Sequence, residues 1–134
     1  MPSSSREFQK AALQRFTTAE FLLRNHFTLD AYYLAGYSIE RILKALILEL
    51  TPEAKRAEML AKISAGSKMH SPEILNGILK EFGRPLPLEL VKKLRRFNWS
   101  TGLRYEIGHK PIGETRGFLR AAKLVYDWVK GELP

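Results

Sequence analysis

Apolar residues recur at helical spacing along most of the chain, and no stretch alternates with period two for long enough to make a strand. Phe8, Ala12, Phe16, Ala19 and Leu23 repeat at three- and four-residue intervals behind Ser4, which forms a capping box with Glu7 and predicts a first helix to about Asn25. "HFTLD" interrupts the pattern, and Asp30 is the expected cap of a second helix over about 31–50. Tyr32, Ala35, Ile39, Leu43, Leu46 and Leu50 give that helix a core stripe. Tyr33, Gly36, Tyr37, Glu40, Lys44 and Ile47 line up on a neighbouring face. A glycine in a helix interior costs about 1 kcal/mol relative to alanine, so something is expected to approach Gly36 closely, either another helix or a second subunit.

Thr51 followed by Pro52 and Glu53 predicts a third helix, ended by Gly66, with "GSKM" as a loop. Ser71 and Pro72 repeat that grammar for a helix stopped by Gly83. After "RPLP", the stripe Leu88, Val91, Leu94 and Phe97 places Lys92, Lys93, Arg95 and Arg96 on the opposite side. Trp99 is expected in the core, and Gly102 weakens the helix beyond it. A last helix over about 113–130 packs Phe118, Ala121, Val125 and Trp128 and ends at Gly131. The pattern is that of an all-α, single-domain bundle of about five or six helices spanning 1–134.

Composition narrows the class. The 134 residues are 45% hydrophobic and 27% charged, a folded rather than disordered mixture. With no cysteine there is neither a disulfide framework nor a thiolate metal site, which fits a reducing cytoplasm. The N-terminal segment has no apolar run of the kind a secretory signal needs. The longest candidate span, "AYYLAGYSIERILKALILEL", carries Glu40, Arg41, Lys44 and Glu49. Each mid-helix charge costs roughly 2.5–3.5 kcal/mol in a bilayer, so the segment reads as a central helix of a bundle. The formal charge of +8 attracts polyanions, with nucleic acid the first candidate.

Chemistry concentrates in "RYEIGH", residues 104–109. In continuous helix the two end residues would diverge, but Gly108 permits a left-handed turn and Pro111 stops the helix from resuming at once. A guanidinium grips phosphate oxygens in a fork, and an imidazole exchanges protons near neutral pH. RNA brings its own nucleophile, the 2′-hydroxyl, so the pair needs no metal or other cofactor. His26, His70 and His109 are scattered singly, without metal-ligand spacing, and neither a phosphate-cradling glycine loop nor "GxSxG" occurs. The plainer alternative has Arg104 paired with a carboxylate and His109 solvated on a loop.

"DAYYLAGYSIERILKALI" at 30–47 and "NWSTGLRYEIGHKPIGETRGFLRAAKLVYDWV" at 98–129 resemble the HEPN domain, and the likeness covers essentially the whole chain. The resemblance implies a small helical bundle that forms a homodimer, with two copies of an arginine–histidine motif facing one cleft. In active members that motif performs metal-independent RNA cleavage, so Arg104 would hold the scissile phosphate and His109 would act as acid and base. The family also supplies toxins of toxin–antitoxin pairs, often beside a nucleotidyltransferase antitoxin. Two positions depart from the active pattern. Tyr105 stands where active members tend to have Asn, Asp or His, and Pro111 stands where the branch silenced by antitoxin modification has tyrosine.

Glu40 matches a glutamate common on the family's second helix. It is open to two roles, an i, i+4 pair with Lys44 or the orientation of Arg104 or His109. Lys92, Lys93, Arg95 and Arg96 are expected to dock RNA phosphates, with Tyr105 available to stack on a base. The resulting expectation is an endoribonuclease acting in the cytoplasm; the alternative is a non-catalytic module that binds RNA or a nucleotide and partners a nucleotidyltransferase.

Overall fold

The computed structural model describes residues 2–134. Among these the chain forms six α-helices and no strand: α1 (Ser5–Arg24), α2 (Thr28–Leu50), α3 (Arg56–Ile63), α4 (Pro72–Glu81), α5 (Leu88–Arg95) and α6 (Ile112–Glu132). Short 3₁₀ turns occupy Glu53–Lys55, Ser67–His70 and Thr101–Tyr105.

The capping box at the start of α1 forms, with the Ser4 hydroxyl accepting from the Glu7 N–H. The Glu7 carboxylate reaches back to the Ser3 N–H, and that bond holds its pKa below the usual carboxylate value. At the other end of α1, the His26 N–H donates to the Leu23 carbonyl and the Phe27 N–H to the Leu22 carbonyl. His26 sits at φ 65 to make this turn, taking the left-handed position usually given to glycine. The tight turn lets α2 begin at Thr28, so Asp30 lies in its first turn and does not cap it.

The second boundary correction has a similar local cause. The Thr51 hydroxyl is turned back onto α2, donating to the Ile47 carbonyl, and no N–H after Pro52 donates to it as to a cap. Arg56 adds its guanidinium to the Leu48 and Thr51 carbonyls. The chain consequently passes through a 3₁₀ turn, and α3 starts only at Arg56. Ser71 and Pro72 start α4 as expected, with the Ser71 hydroxyl accepting from Ile74. Gly131 lies within α6 and does not terminate it.

α1 and α2 form an antiparallel hairpin. The Ser5 hydroxyl donates to the Ala45 carbonyl at one end, and Ser38 donates to the Ala12 carbonyl nearer the other. Ala12, Ala19, Ala31 and Ala35, all at 0% exposure, keep the two backbones close. α6 runs alongside α2 in the same direction, since Phe118 stacks on Tyr32 near one end and Lys130 reaches Gln9 at the other. The expected stripe of α2 is buried from Tyr32 to Leu46, while Leu50 is half-buried. The neighbouring face is covered too, including Glu40, Lys44 and Ile47, so α2 is enclosed on nearly all sides.

Two stripe assignments are corrected. On α6 Val129 fills the core and Trp128 stays half-buried. On α5 Leu88 is exposed, and Val91, Leu94 and Phe97 are only partly covered. None of these helices is long and apolar enough to cross a membrane.

What approaches Gly36 is the indole of Trp99 from the same chain; a Cβ there would overlap the ring. The Trp99 ring is only half-buried, and its N–H donates to the Tyr33 carbonyl at 2.9 Å. Gly36→Ala therefore tests this packing by sign. At an open helix position the change would stabilise by about 1 kcal/mol. Against Trp99 it is expected to destabilise by about 1–3 kcal/mol, read as a lowered urea midpoint.

Candidate functional site

The segment after Trp99 is held on α2 at both ends. Leu103 is buried, and the Lys110 N–H donates to the Thr28 hydroxyl at 3.0 Å. The Thr101–Tyr105 turn packs across α2, and residues 104–109 then stand out as an exposed arch between the two anchors. Gly108, at φ 102, turns the chain back toward the second anchor in a conformation that a side chain would oppose. The 3₁₀ turn already ends at Tyr105, three residues earlier, so Gly108 bends the arch and does not terminate a helix as the sequence pattern suggested.

Arg104 and His109 occupy the two feet of this arch, and both are exposed. Among the described residues neither has a carboxylate within 4.0 Å, so the alternative in which Arg104 is neutralised internally does not hold. The Arg104 guanidinium rests over the Tyr105 ring, 4.8 Å from its centroid. The Tyr105 hydroxyl, and more weakly the phenols of Tyr33 and Tyr37, raise its already high pKa, leaving a permanent surface cation. At the crown of the arch Ile107 is 96% exposed and Tyr105 is 76% exposed, an unusual display for two large apolar side chains.

Glu40 is not solvated and does not reach Arg104 or His109. Its carboxylate is buried and takes three partners: Lys44 Nζ at 3.1 Å, Arg41 at 3.2 Å and His70 Nδ1 at 2.7 Å. The i, i+4 pair with Lys44 therefore exists, but inside the protein, where removing one partner strands a charge. The imidazole that Glu40 orients is His70, thirty residues along the chain.

Around this network stands an aromatic wall. Tyr37 meets the His70 ring at 6.1 Å, Trp99 at 5.3 Å and Tyr33 at 4.9 Å, and Arg41 lies over its face at 4.7 Å. No sequence signal joined His70 or Arg41 to Glu40. The pairing of His70 with Glu40 depends on where the 3₁₀ turn at Ser67–His70 falls, and no local motif encodes that.

Lys92, Lys93, Arg95 and Arg96 are exposed at the end of α5 and have no ion-pair partner among the described residues. They lead directly into the Asn98–Tyr105 segment. Arg95 also lines a cavity of about 380 Å³ between α4 and α5, with Lys80, Leu86 and one side of Trp99. Arg104 and His109 do not line it.

The HEPN domain model matches residues 5–132. The chain belongs to the HEPN domain family. Neither a curated protein nor a solved structure matches it. HEPN membership connects the helical bundle to nucleotide and RNA biology at the level of the family, and it covers every helix described above.

The aromatic wall of this HEPN domain has a pH signature. Burial, followed by the neighbouring Tyr33 hydroxyl, pushes Tyr37 up to about 12. Burial, followed by the charge of Glu114, does the same to Tyr32. A phenol whose pKa rises on folding contributes stability that is complete below about pH 10 and is lost as pH climbs toward 12. An absorbance titration of the phenolates is expected to show a late phase near pH 12, smaller by one tyrosine in Tyr37→Phe. The variant should also lose less stability than the wild type across that window.

Proposed function

We propose that this protein is a metal-independent endoribonuclease whose site is built on Arg104 and His109. The observation that carries the reading is the exposed arch, which presents a permanent cation and a titratable ring, neither engaged by a carboxylate of the chain. Arg104 holds the scissile phosphate, and His109 exchanges a proton with the reacting oxygens. Tyr105 offers a stacking face beside the phosphate, and Lys92, Lys93, Arg95 and Arg96 extend the cationic track. The apolar crown of Tyr105 and Ile107 supports a homodimer in which a second copy covers the arch and doubles the motif across a cleft. A cytoplasmic toxin restrained by a nucleotidyltransferase antitoxin is the biological setting proposed for this arrangement.

A second reading draws on the stacking of Arg104 on Tyr105. A guanidinium already resting on a tyrosine ring is suited to binding RNA or a nucleotide without turnover. The two readings separate in an assay of RNA cleavage in EDTA. Ribonuclease action is expected to leave 2′,3′-cyclic phosphate ends, with Arg104→Ala and His109→Ala each slowing cleavage by about 10²–10⁴-fold. Cleavage at wild-type rate by both variants would sink the site assignment, and salt-sensitive binding without cleavage would favour the module. In either case, replacing Lys92, Lys93, Arg95 and Arg96 by glutamine should flatten the dependence of RNA affinity on salt, by about 0.7 in log–log slope for each single-strand phosphate no longer neutralised.

A further inference from the structure

Cleavage by the 2′-hydroxyl involves two proton transfers. The 2′-oxygen loses a proton as it bonds to phosphorus, and the 5′-oxygen gains one as its bond to phosphorus breaks. The products are a 2′,3′-cyclic phosphate and a 5′-hydroxyl, and no other reactant is consumed. Each transfer needs its own donor or acceptor, and a titratable ring of the same copy can share this work with the doubled His109.

His70 has the geometry for that task. Its Nδ1 lies 2.7 Å from Glu40 Oε1, and a carboxylate only accepts, so Nδ1 carries the hydrogen of this bond. The bond fixes the ring orientation and leaves Nε2 on the side away from Glu40. The Glu40 side chain is 3% exposed, whereas His70 keeps 37% of its side-chain surface open. A buried carboxylate thus aims a half-open imidazole.

The ring also shares an aromatic neighbour with the segment that leads to Arg104. Tyr37 touches His70 on one side and Trp99 and Tyr33 on the other. The turn carrying Arg104 packs on the same helix, within electrostatic reach of Tyr33 and Tyr37. His70 and Arg104 therefore flank one aromatic wall.

The local charge balance points the same way independently. Glu40 is already shared by Lys44 and Arg41, two cations against one anion before Arg104 is added. An anion lying against Arg41, Arg104 and His70 would offset this surplus.

We infer that His70, aimed by Glu40 as a positioning residue, is a second proton-transfer group of the site and acts on the same RNA phosphodiester as Arg104. This role rests on the ribonuclease reading above.

The test is multiple-turnover cleavage of an RNA oligonucleotide in EDTA by wild type, His109→Ala, His70→Ala, His70→Gln and Glu40→Gln, with and without free imidazole. His70→Ala is expected to lower kcat by about 100-fold or more while leaving KM nearly unchanged, and added imidazole should restore part of the loss. His70→Gln should be equally slow but without rescue, because its amide fills the space and cannot exchange protons. Glu40→Gln should lower kcat less than His70→Ala does. A His70→Ala protein that cuts at wild-type rate, or a folded one whose loss imidazole cannot relieve, would overturn the inference.

Should His70→Ala fail to fold, the wild-type protein still decides by NMR. The His70 ring resonances are expected to move when a 2′-O-methyl RNA oligonucleotide is added, and unmoved resonances would reject the role. The ribonuclease reading and the His70 role fail differently. If wild type leaves RNA intact, the ribonuclease reading falls and His70 with it. If wild type cuts and His109→Ala does not, while His70→Ala cuts normally, only the His70 role falls.

Discussion

The packing of the Trp99 indole on the backbone at Gly36 governs where everything downstream lies. α5 buries no residue of its own, and the chain after it has little helical structure to hold it in place. Trp99 supplies the tether: the ring lies where a Cβ would otherwise be, and its N–H is satisfied by the Tyr33 carbonyl. A second tie one residue earlier, from the Asn98 N–H to the Tyr32 hydroxyl, fixes the segment against α2. Leu103 then enters the core, and Arg104 follows at once. The position of the exposed cation is thus set by an aromatic ring and a missing methyl group.

This explains why α2 is enclosed on nearly all sides and yet carries charge. One flank packs on α1 through alanines and serines. A second meets α6 through Tyr32 and Phe118, rings stacked at 4.3 Å. The third is covered by α4, the Thr101–Tyr105 turn and, through His70, the Ser67–His70 turn, and Glu40 and Lys44 are buried there. A buried ion pair is a poor source of stability, because desolvation offsets most of the attraction. Its value here is positional: Glu40 ties Lys44, Arg41 and His70 into one arrangement under the aromatic wall.

Much of the bundle was legible because its signals are local. Ser4 with Glu7, and Ser71 with Pro72, mark helix starts by chemistry within four residues, and both starts appear where expected. The misplaced boundaries have separate local causes. The Thr51 side chain could cap the following helix or close the preceding one, and it closes the preceding one. His26 makes a turn that glycine usually makes, so no glycine announced it. At the candidate site, Gly108 announced the arch, and its positive φ follows from its lack of a Cβ. The Glu40–His70 bond was not legible, since it joins residues thirty apart through a turn with no motif of its own. Gly36 announced a close approach without naming the visitor, because a glycine records only that space is needed.

The two histidines near α2 are held in opposite ways, and the difference bears on how such a site would work. His109 stands on an exposed arch whose conformation is fixed by Gly108 and the Lys110–Thr28 bond rather than by interactions of its own ring. His70 is fixed through its ring, by a carboxylate that cannot move without stranding Lys44. A solvent-exposed imidazole leaves room for a substrate, whereas an aimed one demands that the substrate come to it. Precision in proton transfer depends on holding the group, and access depends on leaving it open. On the proposed ribonuclease reading, with Arg104 near the same aromatic wall, His109 would admit an RNA strand and His70 would register its phosphate.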